Sequence, residues 1–160
     1  MVLLVVVGTG LACSEEQASQ SSAEEPEHGH GELAQHMAHL QRWTHKTALA
    51  LDARNPELTE FYLHEMEESI ETIQTEVSTY EGYEIGALTE TMLVPSVDGL
   101  DEAVEARDWA AVDARVDEVE TSCNQCHAAT DHGFVQIDLQ EVPNPYAQDF
   151  SSSGDGQDDS

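Results

Sequence analysis

Four stretches of this chain carry apolar residues at alternating steps of three and four, which is the repeat of one face of an α-helix. We find no stretch that alternates convincingly with period two, and no repeat of fixed length. Helices of roughly 20 residues with short connections bury such stripes best as a bundle. The sequence therefore predicts an all-α, antiparallel up-down-up-down four-helix bundle over residues 32–135. The stripes comprise Leu33, Met37, Leu40, Thr44, Thr47 and Leu51; Leu63, Met66, Ile70, Ile73 and Val77; Leu88, Met92, Leu93, Val97, Leu100 and Val104; and Trp109, Val112, Val116, Val119 and Cys123.

Residues typical of helix boundaries separate the stripes. Asn55 followed by Pro56 predicts the start of the second helix, because asparagine caps the first turn and proline fits the first helical position. Asp108 is the predicted cap of the fourth helix, and Gly133 its predicted end. Pro95 lies inside the third segment and should kink or split it, since proline lacks the N–H that continues a helix.

Both ends of the chain differ from its middle in composition and in apolar pattern. Residues 1–13 contain a short apolar run ending in small residues, typical of an export signal and too short to span a bilayer. Gly10-Leu11-Ala12-Cys13 resembles a bacterial lipobox, which predicts that Cys13 is lipidated; an ordinary signal peptide is the alternative. Residues 14–31 read as a disordered acidic linker and 136–160 as a largely disordered C-terminal extension. We expect a periplasmic or cell-envelope lipoprotein.

The charge of the chain restricts its partners. Five Lys and Arg residues stand against 33 Asp and Glu residues, a formal net charge of −28. This balance excludes nucleic-acid binding by phosphate neutralisation, and it opposes direct docking on anionic membranes. Membrane contact is expected only through the lipid anchor, and the negative field favours a basic partner protein.

One motif carries chemistry. Residues Cys123-Asn124-Gln125-Cys126-His127 form Cys-x-x-Cys-His, the attachment signal for a c-type haem. Two thiols at this spacing can bond the two vinyl groups of one porphyrin, and the next imidazole then becomes the proximal iron ligand. Because c-type haem is attached outside the cytoplasm, the predicted export signal agrees with this interpretation. The sequence thus predicts one covalent haem c, held by Cys123, Cys126 and His127.

Three other interpretations of the motif remain. A thioredoxin-like pair should open a helix after a strand, whereas this motif closes a helix. A zinc site could use the two cysteines with His127 and His132, although it lacks a second spaced pair. A simple disulfide between Cys123 and Cys126 is the third alternative.

The motif near the end of a fourth amphipathic helix resembles cytochrome c prime and the wider superfamily of four-helix-bundle c-type cytochromes. The resemblance covers about residues 32–135. It implies a haem lying along the bundle with His127 as proximal ligand, and it leaves a homodimer open. In such proteins a first-helix side chain faces the other side of the iron, either an apolar blocker or a ligating methionine.

The distal side is argued from the predicted topology. In an antiparallel bundle the end of the fourth helix lies beside the start of the first, at the level of residues 36–40. Met37 lies there on the apolar stripe and is the predicted distal ligand. His36 or His39 as ligand, or an open or apolar distal face with Met37 as core filler, are the alternatives.

Two further residues are predicted to contact haem, Arg42 through a propionate and Phe134 over a ring edge. No nucleophile–base set or nucleotide loop accompanies the motif, so an enzyme is not expected. The leading hypothesis is a mono-haem electron carrier of the cell envelope with a basic redox partner. The alternative is a five-coordinate haem module that binds nitric oxide or carbon monoxide; a zinc-binding or cofactor-free helical protein is the third.

Overall fold

The protein is all-helical in a computed structural model, which describes residues 28–140 and 142–152. Within these ranges there is no strand, only an isolated bridge between Tyr80 and Tyr83. The prediction of an all-α, bundle-like fold is confirmed at this level. The elements are α1 (His28–Asp52), α2 (Pro56–Glu76), α3 (Ile85–Leu88), a π-helical turn (Thr89–Leu93), α4 (Val94–Glu105) and α5 (Trp109–Ala129).

Two of the predicted helix starts are confirmed by their caps. The Asn55 side-chain oxygen accepts from the Leu58 backbone N–H at 3.1 Å, and Asp108 caps α5 in the same way. α1 begins at His28, within residues 14–31, which the sequence predicts as a linker. At the other end, α5 stops at Ala129, ahead of Gly133, and Asp131 takes the left-handed backbone conformation there (φ 61°).

Proline at position 95 does not split the third helical segment. α3, the π-helical turn and α4 follow one another without a break, so they form one long helix. The Val94 N–H reaches back five residues to the Thr89 carbonyl, which is the π-type bond. One extra residue in this turn lets Pro95, which has no N–H, fall in the first turn of α4, where no donor is needed.

The predicted stripes form the core. α1 packs on α2, α2 on α4, and α4 with the π-helical turn on α5, whereas α1 and α5 are not among the closely packed pairs of the described residues. None of the described helices is long and apolar enough to cross a bilayer. The buried members of the main core cluster are Leu40, Leu51, Leu63, Met66, Ile70, Ile73, Ile85, Leu93, Val97, Leu100, Ala103, Val104, Val112 and Val119.

Beyond α5, residues 142–152 pack on the helices, within the range 136–160 that the sequence predicts as a largely disordered extension. Residues 142–152, here called the strap, lie on α1 and α2. Phe150 is only 6% exposed and packs with Leu49, Ala50 and Tyr62. Burial of an aromatic side chain removes a large apolar area from water, so this contact favours docking of the segment.

The side chain of Lys46, on α1, contacts both α2 and the strap. Its ammonium lies 4.9 Å from the ring centroids of Tyr62 and Tyr146, 5.7 Å from that of Trp43, and 2.9 Å from the Gln148 side-chain oxygen. A cation held against ring faces and one carbonyl oxygen keeps favourable electrostatics when its hydration is reduced. The strap is therefore fixed by polar contacts as well as by Phe150.

Candidate haem-attachment site

The two motif thiols lie on the last turns of α5, one turn apart on the same side of the helix. Both are free cysteines and half-buried, and Cys123 packs against the main core cluster. Burial raises the pKa of Cys123 to about 11, with smaller contributions from Cys126 and Glu120, and burial also raises the pKa of Cys126. A redox-active pair needs a lowered thiol pKa, so these environments oppose the thioredoxin-like alternative.

The His127 imidazole is held in one tautomer by the chain that follows α5. Its Nδ1 lies 2.9 Å from the Val135 carbonyl oxygen. A carbonyl oxygen can only accept, so Nδ1 carries the hydrogen and the neutral ring keeps its lone pair on Nε2. Metal-binding histidines are oriented in this way, with one ring nitrogen donating to a carbonyl and the other facing the metal.

Side chains of α5 hold the Val135 carbonyl in place. Asn124, inside the motif, accepts from the Ile137 N–H at 2.7 Å and donates to the Ile137 carbonyl at 2.9 Å. One turn earlier, Glu120 accepts from the Leu139 N–H at 2.9 Å. The segment 135–140, here called the return segment, thus runs back along α5 in extended form, bonded to helix side chains instead of to a neighbouring strand.

The sequence analysis missed the return segment, although a signal was present. Val135, Ile137 and Leu139 alternate with Gln136, Asp138 and Gln140, a short period-two pattern. Ile137 and Leu139 are half-buried, and the three polar residues are exposed. An extended segment that pairs with no strand is uncommon, so an alternation this short is weak evidence in a sequence.

The predicted zinc set does not converge in the described residues. The one group of three or more metal-ligating side chains found there, with ligand atoms within 4.8 Å of one another, is Glu32, His36 and Glu76. His132, the fourth predicted zinc ligand, donates from Nδ1 to the Thr130 carbonyl at 2.6 Å and lies beside the Tyr80 ring. The geometry therefore gives no support to a zinc site at the motif.

The candidate distal ligands lie on different sides of α1. Met37 is half-buried and packs against the core cluster that also contacts Cys123. His36 and His39 instead line a pocket together with α2 side chains, and His36 pairs with Glu76 at 3.4 Å. Met37 thus packs against the same cluster as Cys123.

Two other residues predicted to contact haem lie beside rings outside the motif. The Arg42 guanidinium lies 5.6 Å from the Trp43 ring centroid. Phe134 is 80% exposed, with its ring 5.7 Å from that of His132. Cys13 lies outside the described residues, as do the export signal and most of the predicted linker.

The donor set of the motif fits a covalently bound haem. Two free thiols are one turn apart, and the adjacent imidazole has a nitrogen lone pair that no described residue engages. Two pockets lie in the described part of the chain, one between α1 and α2 and one between α5 and the third helix around Pro95, and neither is lined by Cys123, Cys126 or His127. A porphyrin bound at the motif would need space beside α5, and α1 does not pack closely against α5.

The chain matches no protein-family model, and no curated protein or solved structure is significantly similar to it.

Proposed function

We propose that this chain is a mono-haem c-type cytochrome of the cell envelope that transfers electrons. The observation that carries the proposal is the Cys-x-x-Cys-His motif at the end of α5, with both thiols free and the His127 lone pair fixed on Nε2. We further propose an antiparallel up-down-up-down order for the helices, which the short connections after α1 and α4 support.

Each motif residue has a distinct task in this proposal. Cys123 and Cys126 would hold the porphyrin through thioether bonds, and His127 would supply the proximal nitrogen. Asn124 and the return segment keep the imidazole oriented through the Val135 carbonyl. Haem supplies a one-electron couple at iron when it is bound. No acid, base or nucleophile is required, so we propose a carrier and not an enzyme.

The distal side decides between two functions. Met37 contacts the shared core cluster, and ligation by its thioether would give a six-coordinate iron suited to electron transfer. Leu33 and Leu40 flank Met37 in the same cluster, so without ligation α1 would present an apolar distal face. That arrangement favours the second candidate function, a five-coordinate haem that binds nitric oxide or carbon monoxide.

Attachment of haem tests the first part of the proposal. The exported protein, produced with a c-type maturation system, should retain haem after denaturation and acid–acetone extraction. The double variant Cys123→Ala/Cys126→Ala should lose it. Since the thiols are covalently used, haem that extracts freely, or a haem content unchanged in the double variant, contradicts the proposal.

Spectra of the holoprotein decide the distal ligand. With Met37 bound, the ferric protein should be low-spin with a sulfur-to-iron charge-transfer band, and carbon monoxide should bind slowly. Met37→Ala should then open the iron to gas, whereas Met92→Ala, a methionine of the third helix, should leave the spectrum unchanged. A wild-type protein already high-spin and unaffected by Met37→Ala would favour the gas-binding module.

Location and partner complete the proposal. Cys13 would be lipidated, which mass spectrometry of the mature N-terminus tests by the mass of the acyl chains. The net charge of −28 supports association with a basic redox partner. Such association should weaken as salt concentration rises, because exposed charges are screened over about 10 Å at 0.1 M ionic strength.

A further inference from the structure

A second group of donor atoms lies away from the thiols, where α1 meets the end of α2. Glu32 and His36 are four residues apart on α1 and share one face of that helix. Glu76 is the last residue of α2. One donor atom from each of the three lies within 4.8 Å of the other two.

We propose that Glu32, His36 and Glu76 bind one borderline divalent transition-metal ion, with Zn²⁺ as its representative. The proposal does not depend on haem. It rests on the convergence of one imidazole and two carboxylates from two helices. Imidazole excludes the oxygen-preferring ions Mg²⁺ and Ca²⁺ as the best occupants.

The observed spacing is close to that of a metal shell. Bonds of about 2.1 Å in a tetrahedral shell put neighbouring ligand atoms about 3.4 Å apart. His36 Nε2 and Glu76 Oε2 already lie 3.4 Å apart. Rotation of the exposed Glu32 side chain would complete a set of three ligands, which leaves one position for water.

Burial and charge agree with this assignment. The His36 side chain is only 19% exposed, so its ring is held between the helices and does not sweep through solvent. Arg54, Arg107 and Arg115 pair with carboxylates elsewhere, at Asp113, Glu60 and Glu118. A divalent cation would balance the two converging carboxylates, and the strongly negative chain raises the local concentration of cations.

A competing account is an ion network in which a protonated His36 pairs with both carboxylates. It predicts no specific metal uptake. α2 also carries a matched pair, His64 and Glu68, four residues apart with Nε2 and Oε1 separated by 3.5 Å. That pair has the same two donor types, but no third donor joins it among the described residues.

Calorimetric titration with Zn²⁺ and with Mg²⁺ tests the proposal on the full chain. Because free thiols also bind zinc, it is repeated in Cys123→Ala/Cys126→Ala, with folding checked by circular dichroism. We expect one saturable Zn²⁺ site in the cysteine-free variant, weakened at least tenfold by adding His36→Gln or Glu76→Gln and unchanged by adding His64→Gln. Mg²⁺ should bind far more weakly.

Several outcomes would overturn it. One is the absence of saturable Zn²⁺ binding in the cysteine-free protein. Another is an equal loss in His64→Gln and His36→Gln, which would mean that any surface pair suffices. A third is Mg²⁺ binding as tight as that of Zn²⁺. Co²⁺ gives an independent readout, since ligand-field absorption should appear in the cysteine-free variant and vanish when His36→Gln is added to it.

Discussion

At the junction of α1 and α2 the Phe150 side chain is buried, whereas Phe134, a few residues beyond α5, is 80% exposed. Around Phe150, polar groups are paired: Asn55 caps α2 and also donates to the carbonyls of Phe150 and Ser151 at 3.1 and 3.0 Å. At the end of α5, a few residues before Phe134, lie two free thiols and an imidazole with a lone pair that no described residue engages. Paired groups and buried rings stabilise a fold, while groups left available can bind something.

The strap and the end of α5 are therefore expected to have different roles, one in stability and the other in function. The strap is expected to contribute free energy of folding, and the end of α5 is expected to contribute chemistry. Substitutions of Phe150, Phe134, Asn55 and Asn124 can test whether this separation holds. Alkylation of Cys123 adds a chemical test.

The largest effect on stability is expected from Phe150→Ala. Removing a buried ring and leaving a cavity should lower the free energy of unfolding by about 3–5 kcal/mol. Phe134→Ala, the matched control, should change it by no more than about 0.5 kcal/mol, because the ring is largely in solvent. Urea unfolding measures both. Equal effects would show that the strap does not pack as described.

Asn55→Ala removes a helix cap and two bonds to the strap, so a loss of about 2–3 kcal/mol is expected. Asn55→Asp separates the two roles, since a carboxylate keeps the cap acceptor and has no N–H to donate. It should retain part of the stability while residues near Ser151 exchange their amide hydrogens faster. Full wild-type behaviour of Asn55→Asp would contradict the strap contacts.

Asn124→Ala should cost about 1–2 kcal/mol by removing both bonds to Ile137. The sharper readout is the tautomer of His127, followed by imidazole nitrogen NMR in haem-free protein. The wild type should carry hydrogen on Nδ1, and the variant should populate both tautomers. Gln125→Ala, an exposed neighbour in the motif, should change neither quantity; a variant tautomer identical to wild type would disconnect Asn124 from His127.

The smallest effect concerns the haem-free thiols. Because the pKa of Cys123 is raised to about 11, its thiolate is scarce at pH 8 and iodoacetamide should react more slowly than in the urea-unfolded chain. The rate should rise with pH up to about 11. Burial of the neutral Cys123 thiol stabilises the folded protein fully at pH values below the pKa of Cys123 in the unfolded chain. This stabilisation is lost as the pH rises through the higher pKa of the folded state. Peptide mass spectrometry measures the rates, and equally fast reaction of folded and unfolded chains would refute the burial of Cys123.

Much of the fold follows from local signals. The four stripes predicted the helices, and Asn55 and Asp108 predicted where two of them begin, because caps and helical periodicity act within a few residues. The candidate site could be predicted only in part. The motif supplied the three residues that we propose to bind haem, but the short alternation of residues 135–140 did not indicate that this segment would contact His127.

What the sequence could not give depends on contacts between distant positions. Phe150 packs against Tyr62 and Leu49, a contact that the composition of residues 136–160 did not indicate. Likewise, Pro95 suggested a break that a single π-type turn absorbs. Tertiary packing places the strap, which neighbouring residues alone could not indicate. The π-type turn is a local change in backbone hydrogen bonding.

Lys46 is the only lysine of the sequence, and three aromatic rings surround its ammonium. The folded protein therefore offers amine-directed reagents very little to modify beyond its N-terminus. A carbodiimide, in contrast, finds carboxylates over the whole surface. Zero-length coupling in a mixture would thus join this chain's acids to amines of the other protein, with little self-coupling, which makes it a direct means of capturing and mapping a basic partner.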